Sequence, residues 1–210
     1  MPLEETGVTI PTLSRRAALL VAPLLLARPA LALPPRQSFK VVREGRDIGT
    51  HTVTVQQAEG GLVARNEVAI LVRLMGITVF RMAHLYEEVW QGDQLASFTS
   101  REDRNGTVKQ LSARQQGGAL VLSSGGSLPA EAAPLGWWDP RRLGTRPLFD
   151  SDDGAALAVT WQRQAMPGGE VAFTASGDTN GEARYGADNA WLGFKQRAED
   201  GSAVEYQRVS

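Results

Sequence analysis

Two histidines are the main candidates for metal binding and proton transfer near neutral pH, because the 210-residue chain contains no cysteine. A zinc or non-haem iron site would need His51 and His84 to converge with a carboxylate, and Glu87 and Asp47 are the nearest in sequence. The two histidines fall in different predicted strands, where a lone histidine is more often a hydrogen-bonded, half-buried residue. We therefore predict no cofactor and no metal site.

The sequence also lacks the motifs of nucleophilic and acid–base catalysis. It contains neither the G-x-S-x-G elbow of hydrolases nor a phosphate-binding glycine loop. Glu87 and Glu88 are neighbours in one predicted strand, so they point to opposite faces and cannot act as the paired carboxylates of a glycosidase. Asp150, Asp152 and Asp153 have the spacing of a calcium loop without its downstream glutamate, which indicates a solvated turn. We expect no catalytic residues and no enzymatic activity.

Tryptophan is the residue type that does point to a binding site. The chain has five tryptophans, and each indole offers a large apolar surface with one hydrogen-bond donor. Trp137 and Trp138 are adjacent in a predicted loop, where at least one ring is expected to point outward or into a barrel opening. Arginines just after them are candidates to receive a carboxylate or phosphate head group at the rim. The predicted ligand-binding residues are Trp137, Trp138, Trp90, Tyr86, Arg141 and Arg142, with Arg146 as a further rim candidate.

The elements that position these residues are predicted to be strands. From Ser38 onward, runs of β-branched and aromatic residues are separated by glycine pairs and by steps such as Asn105-Gly106 and Asp200-Gly201, which are typical of antiparallel hairpins. This spacing predicts about eleven strands, and helix signals are nearly absent. We predict an all-β, up-and-down antiparallel meander curled into a barrel or half-barrel, with a sandwich as the alternative.

The stretch from Val68 to Phe80 is the most apolar of the predicted strands. Val68, Ile70, Val72 and Leu74 fall on one face, and apolar residues also occupy the other face. Strands that are apolar on both faces are typical of the buried parts of sheets. We therefore expect both faces of this stretch to be covered by other parts of the protein.

One long connection interrupts the meander, from Ser124 to Gly154. A connection of this length inside a compact domain usually has a specific role, and we interpret it as a plug or lid at the barrel mouth. Within it, Asp139 is predicted to cap a short helical turn that has Pro140 at its first position and Gly144 after its end.

Residues 1 to 32 are typical of a cleavable export signal, with an expected N-terminal signal helix. A polar start is followed by Arg15 and Arg16, an apolar run and the small-residue site Ala30-Leu31-Ala32. The arginine pair resembles a twin-arginine signal, with the general secretory route as the alternative. Because the apolar run is too short to span a bilayer, we expect a periplasmic or secreted protein without stable membrane insertion. Residues 33–210 are predicted to form a single all-β domain.

Charge and hydrophobicity limit the classes of partner. The chain has 22 basic and 23 acidic residues, and this net charge of -1 supplies no field that would gather nucleic acid or hold the chain on an anionic bilayer. Hydrophobic residues make up 42% of the chain, which is enough for one core. We expect no nucleic-acid partner, and a small apolar or lipid-like molecule is the candidate ligand.

Five segments follow one another in an order that is more specific than each segment alone: FKVVREGRDIGTH, YEEVWQGDQLASFTSREDRNG, PLGWWDP, ARYG and WLGFKQRAEDGSAVEY. In this order they resemble the exported bacterial family called domain of unknown function 6134, over nearly the whole of residues 33–210. The resemblance implies a curled antiparallel sheet of the cell envelope, similar in outline to periplasmic lipid carriers. It implies no activity.

The sequence leaves three functional hypotheses open. In the first, a non-enzymatic envelope protein binds an apolar or amphipathic, lipid-like ligand under the loop of Trp137 and Trp138. In the second, the barrel is filled by side chains and the protein is an interaction scaffold of the envelope. In the third, the protein is an enzyme, with or without a metal, that uses His51 or His84 with a carboxylate.

Overall fold

Alternating β-branched and polar residues form one long antiparallel sheet in the computed structural model, which describes residues 35–198 and 200–209. The predicted export signal over residues 1–32 lies outside the described residues. Helix in the described ranges is confined to two 3₁₀ turns, Pro140–Arg142 and Pro167–Gly169. No helix in those ranges has the length and apolar character needed to cross a membrane. The prediction of an all-β fold is confirmed for these ranges.

The described residues contain sixteen strands, of which thirteen form the main sheet and three form a small sheet. The first part of the main sheet consists of β1 (Arg36–Arg43), β2 (Arg46–Ala58), β3 (Gly61–Leu74), β4 (Ile77–Gln91), β5 (Gln94–Arg104), β6 (Thr107–Gln116), β7 (Ala119–Leu122) and β8 (Ser127–Pro129). The small sheet consists of β9 (Ala133–Pro134), β10 (Leu148–Phe149) and β11 (Ala156–Leu157). The main sheet continues with β12 (Val159–Ala165), β13 (Val171–Gly177), β14 (Gly181–Tyr185), β15 (Trp191–Arg197) and β16 (Ala203–Arg208).

The first and the last described strands meet in the main sheet, because β1 pairs with β16 as well as with β2. Phe39 lies opposite Arg208 on one side and opposite His51 on the other. The strand order therefore runs from β12 to β16 and then from β1 to β8, with every neighbouring pair antiparallel. This confirms the predicted up-and-down meander, with thirteen strands in place of about eleven.

One face of the main sheet encloses the core. Along β4, His84, Tyr86, Glu88 and Trp90 are buried at every second position, whereas Glu87 is only half-buried. This alternation confirms that Glu87 and Glu88 point to opposite faces. Buried residues from strands at both ends of the meander and from the long connection belong to one hydrophobic cluster. The sheet therefore curls around a shared interior.

The long connection contains the predicted helical turn. Asp139 caps the 3₁₀ turn Pro140–Arg142, and its side chain accepts a hydrogen bond from the backbone N–H of Arg141. Gly144 follows with a φ of 70°, in the left-handed region that favours glycine. The connection also contributes several side chains to the hydrophobic cluster: Ala132, Ala133, Trp138, Leu143, Leu148 and Phe149. It is therefore a plug inside the curled sheet, one of the two roles predicted for it.

The expectation that Val68–Phe80 is covered on both faces is wrong. The stretch is not one strand, because Met75 and Gly76 form a tight turn with φ of 52° and 80° between β3 and β4. Large apolar side chains on this hairpin are exposed to solvent: Leu71, Leu74, Met75, Ile77 and Val79. The sequence gives little sign of the turn because its first residue is methionine, whereas asparagine or aspartate usually precedes glycine at such turns.

The turn between β2 and β3 supports a test of the fold. Gly61 has a φ of 122°, and a Cβ built on it would lie 2.0 Å from the carbonyl oxygen of Trp90 on the neighbouring strand. Replacing Gly61 with alanine is expected to lower the free energy of unfolding by about 2 kcal/mol. Gly60 provides a matched control, since a Cβ there meets nothing within 4 Å. Urea unfolding of both variants measures the difference, and equal stabilities would contradict this turn geometry.

Candidate functional site

The aromatic residues predicted to bind a ligand lie in the packed interior. Trp90 and Trp138 are each 1% exposed, and Tyr86 is buried in the same hydrophobic cluster. Trp137 is half-buried and packs edge-on against Trp161, with ring centroids 5.4 Å apart. A ligand under the loop would have to displace these rings. Among the described residues, the space beneath the loop is filled rather than open.

Glu88 joins the plug to the sheet. Its two carboxylate oxygens accept one hydrogen bond each, from the indole N–H of Trp90 at 2.8 Å and from the indole N–H of Trp138 at 2.9 Å. Burial raises the pKa of Glu88 to about 7, against the lowering effect of the two indole donors and of the Arg142 charge. The carboxyl group is therefore a buried acceptor that fixes both rings, and it does not face solvent.

The arginines predicted at the rim form a clamp with the chain's own carboxylates. Asp139 accepts hydrogen bonds from Nε of Arg141 at 2.7 Å and from Nε of Arg142 at 3.0 Å. Asp93, in the turn between β4 and β5, accepts from Arg142 at 3.3 Å and from Arg146 at 2.8 Å. The Arg142 guanidinium also lies 3.5 Å above the ring of Trp90. These contacts fasten the plug to the sheet.

A cleft beside this clamp gives the predicted anion-binding role little support. The cleft has a volume of about 300 Å³, and Trp90, Arg141 and Arg142 contribute to its lining. Asp93 and Asp139 line the same cleft, so a bound anion would compete with two carboxylates that already hold the guanidinium groups.

The hairpin of β3 and β4 extends beyond the strands beside it. Pairing of β2 with β3 ends at Gly49 and Ile70, and pairing of β4 with β5 begins at Met82 and Arg104. Residues 71–81 therefore form a two-stranded ribbon without further ladder partners among the described residues, here called the ribbon. Met75 at its tip is 95% exposed and Ile77 is 69% exposed. This is an unusual concentration of exposed apolar surface.

A groove of about 760 Å³ lies between the ribbon and the turn that joins β1 to β2. Its volume is within the range of roughly 300 to 1,000 Å³ found for ligand pockets. Five apolar residues line it: Ile48, Leu71, Val72, Leu74 and Val79. Five charged residues line it as well: Arg43, Glu44, Arg46, Asp47 and Arg73. The groove therefore combines an apolar surface with a cluster of charges.

The acidic groups in the groove already have partners. Glu44 accepts a hydrogen bond from the backbone N–H of Ala203, and Asp47 forms an ion pair with Lys40 at 3.8 Å.

Of the three arginines, Arg43 is held by Asp200 and Ser202. Arg46 and Arg73 make no ion pair with any other described residue. Two guanidinium groups therefore remain available to an anion in the groove.

Comparison with known families identifies the family of the chain. Residues 39–209 match the family described as "Domain of unknown function (DUF6134)", which is well over half of the 210-residue chain. The chain belongs to the DUF6134 family. This confirms the resemblance found in the sequence, and the family description assigns no activity. No curated protein matches this DUF6134 protein.

One solved structure supports the barrel-like fold of the DUF6134 protein, and a second shows a weaker likeness. One is described as a beta-barrel-like protein of domain of unknown function DUF1849 from Brucella abortus, with 12% identity and a TM-score of 0.56. That match covers 83% of this chain and 95% of the other. A DUF1089 family protein from Pseudomonas aeruginosa has 12% identity and a TM-score of 0.43, with 68% and 87% covered. At this identity the first likeness shows the fold alone.

The two histidines of the DUF6134 protein do not converge on a metal. His51 lies opposite Val68, which lies opposite His84, so the two histidines are two strand spacings apart. That separation is roughly 10 Å, whereas two ligands of one zinc ion each bind it at about 2 Å. Burial lowers the pKa of His51 to about 4, and burial also lowers the pKa of His84. Burial therefore favours the neutral form of both imidazoles.

Each histidine is instead held by polar neighbours in the core. His51 Nε2 lies 3.3 Å from Oδ1 of Asn66. His84 Nε2 lies 2.8 Å from the hydroxyl of Ser100, and its Nδ1 lies 4.0 Å from Glu102. The order serine, histidine, carboxylate is that of a hydrolase triad, but all three side chains here are at least nine-tenths buried, which leaves a substrate no access. The arrangement fits the alternative of hydrogen-bonded core histidines.

The three neighbouring aspartates form a turn, as the sequence indicates. Their carboxylate oxygens lie within 4.8 Å of one another. Asp150 accepts a hydrogen bond from the backbone N–H of Asp152, and Asp153 accepts one from the backbone N–H of Ala155. Asp152 also forms an ion pair with Lys109 at 2.9 Å. The carboxylates are thus used to hold the turn and to attach it to β6.

Sequence reasoning missed the groove and the role of Glu88. Alternation in β4 places Glu88 and Trp90 on the same face, so the sequence alone could have predicted the contact between them. The groove had a weaker signal, since Arg46 and Arg73 are 27 positions apart and come to line one groove only because β2 pairs with β3.

Proposed function

We propose that this DUF6134 protein is a non-enzymatic protein that binds an amphipathic, lipid-like ligand with an anionic head group. The observation that carries the proposal is the groove of about 760 Å³ between the ribbon and the β1–β2 turn. The proposed site differs from the one expected from the sequence, because the interior under the tryptophan loop is filled. We further propose that the protein acts in the cell envelope after removal of residues 1–32.

The two parts of the groove match the two parts of such a ligand. Ile48, Val72 and Val79 offer an apolar surface for an alkyl chain. Arg46 and Arg73 offer planar, permanently charged donors, and a guanidinium binds a carboxylate or phosphate through two parallel hydrogen bonds. A neutral hydrocarbon would leave these charges unused, and a small hydrophilic anion would leave the apolar wall exposed. An anionic amphiphile uses both.

Reversing the two free charges provides the test. Replacing Arg46 and Arg73 with glutamate is expected to weaken binding of a long-chain fatty acid about 100-fold, because two charge-assisted contacts become repulsive. Isothermal titration calorimetry of the purified protein measures the affinity. The matched control exchanges two exposed arginines on β5 and β12, Arg101 and Arg163, for glutamate, which gives the same net charge without touching the groove. The control is expected to bind like the wild type.

Two other classes of lipid also combine an apolar chain with an anionic head group. They are anionic lysophospholipids and isoprenoid phosphates, and both would be titrated by calorimetry like the fatty acid. Mass spectrometry of the natively purified protein would reveal a retained lipid directly. Failure to bind all three classes, together with an empty native spectrum, would overturn the proposal.

A second candidate function is a protein-interaction scaffold of the envelope. It is favoured by the solid interior, in which Trp90, Trp138 and Phe149 are buried within one cluster. A filled barrel acts through its surface, and the ribbon is its most apolar part. Cross-linking in cells that recovers one stoichiometric protein partner would support the scaffold.

A further inference from the structure

We infer that the ribbon inserts its tip into the surface of an anionic lipid bilayer. The inference goes beyond the proposed function, because it concerns how the protein meets a membrane and does not require an occupied groove. It rests on the exposure of the ribbon, on the positions of its charges and on its length.

Exposed apolar side chains are concentrated in the ribbon and occur on both of its faces. Of the nine exposed large hydrophobic side chains among the described residues, five belong to the ribbon. Leu71 and Leu74 are three positions apart on one strand, so they point to opposite faces, and both are exposed. A protein partner docked on a sheet face covers one side of it. A bilayer surrounds an inserted hairpin and covers both.

The charges of the ribbon suit an anionic surface. Residues 71–81 contain Arg73 and Arg81 and no acidic residue. Arg81 lies 3.7 Å from Asp103, whereas Arg73 has no ion pair among the described residues. The chain as a whole has a net charge of -1, which is why the sequence predicts no membrane attraction. That average conceals a local basic, apolar element.

The length of the ribbon matches the depth of the interface. Arg73 precedes the tip residue Met75 by two strand positions, which is about 7 Å along an extended strand. Peripheral apolar elements enter a bilayer to a depth of about 5 to 10 Å. With Met75 and Ile77 at the acyl boundary, Arg73 therefore lies at the level of the phosphate groups. The groove is lined by ribbon residues as far as Leu74, next to the tip, so a lipid leaving the bilayer would meet it there.

Co-sedimentation with lipid vesicles tests the inference on the purified full chain. The vesicles consist of phosphatidylcholine alone or of phosphatidylcholine with 30% phosphatidylglycerol, a composition chosen to supply negative charge. The wild type is expected to bind the mixed vesicles at least about 10-fold more strongly than the neutral ones, and 0.5 M NaCl is expected to remove most of that preference.

Two double variants separate the ribbon from general hydrophobicity. Met75→Asp with Ile77→Asp is expected to reduce the vesicle partition coefficient by at least about 10-fold, because two apolar side chains no longer enter the interface. Val108→Asp with Val121→Asp makes the same chemical change at exposed positions of β6 and β7 and is expected to bind like the wild type. Far-UV circular dichroism checks that both remain folded.

Fatty-acid titration without vesicles keeps the two proposals distinguishable. The Met75 and Ile77 variant leaves the groove lining intact, so its loss of fatty-acid affinity is expected to be small compared with that of the Arg46 and Arg73 variant. A wild type that binds fatty acid but no vesicles would overturn the membrane inference and leave the groove proposal standing. Equal vesicle binding by the two double variants would also overturn the inference. So would capture of a stoichiometric protein partner that needs Met75 and Ile77 while vesicles do not bind.

Discussion

Replacing Trp138 with alanine is expected to lower the free energy of unfolding by about 3 to 5 kcal/mol, the usual range for removal of a buried aromatic ring. The ring is 1% exposed and sits in the hydrophobic cluster that joins the plug to the sheet. Its loss would leave a cavity and would deprive Glu88 of one of its two indole donors. Urea unfolding of the purified protein, followed by far-UV circular dichroism, measures the change.

Two further variants divide this effect into its parts. Trp138→Phe keeps most of the apolar area and removes the indole N–H, so it is expected to cost about 1 to 3 kcal/mol, the penalty for a buried polar group that loses a partner. Trp137→Ala removes a neighbouring ring that is only half-buried and is expected to cost less than Trp138→Ala. A loss below about 1 kcal/mol for Trp138→Ala would contradict a packed plug.

Replacing Glu88 with glutamine is expected to change how stability depends on pH. The pKa of Glu88 in the fold is about 7 because of burial, compared with 4.5 in its ordinary state. Between pH 4.5 and pH 7 the folded protein keeps a proton on Glu88 that the unfolded chain has lost. The contribution of protonated Glu88 to the free energy of unfolding is therefore full below pH 4.5 and is lost as the pH rises through 7. The loss amounts to about 3 kcal/mol.

The difference in stability between the wild type and the Glu88→Gln variant isolates the contribution of Glu88. Wild-type stability minus the stability of the Glu88→Gln variant is expected to fall from pH 4.5 to 7 and to be constant above. His51 acts in the opposite sense, because its pKa is lowered from 6.5 to about 4, but it titrates in both proteins and cancels. Urea unfolding at a series of pH values gives the difference. A difference that rises with pH would show that Glu88 is ionised in the fold.

Short sequence patterns were sufficient to predict the hairpins and the helical turn. Asn105-Gly106 adopts positive φ at both positions, and Asp139 caps the helical turn as its sequence context predicts. These features depend on residues within a few positions of one another, so a single sequence contains the information. The pairing of β1 with β16 and the contact between Glu88 and Trp138 connect distant segments, and no local pattern specifies them.

The candidate site was harder to predict for a physical reason. The sequence predicts that Trp137 and Trp138 face a ligand because they lie in a long loop, and loops are usually at the surface. This loop runs through the core, where Trp138 donates to Glu88 and the backbone oxygen of Trp137 accepts from Tyr185. The residues at the tip of β3 and β4 are predicted to be buried because they are apolar. Composition alone cannot distinguish a core strand from an exposed ribbon.

The pairing of β1 with β16 affects how the protein folds while it is being synthesised on the ribosome. Phe39 pairs with Arg208, so this edge of β1 has no partner until β16 has been translated. Such distant pairings form late because closing a long loop costs chain entropy. Until then the growing polypeptide presents a bare strand edge, which invites aggregation or capture by a chaperone. A stalled or truncated product that lacks β16 would remain in that vulnerable state.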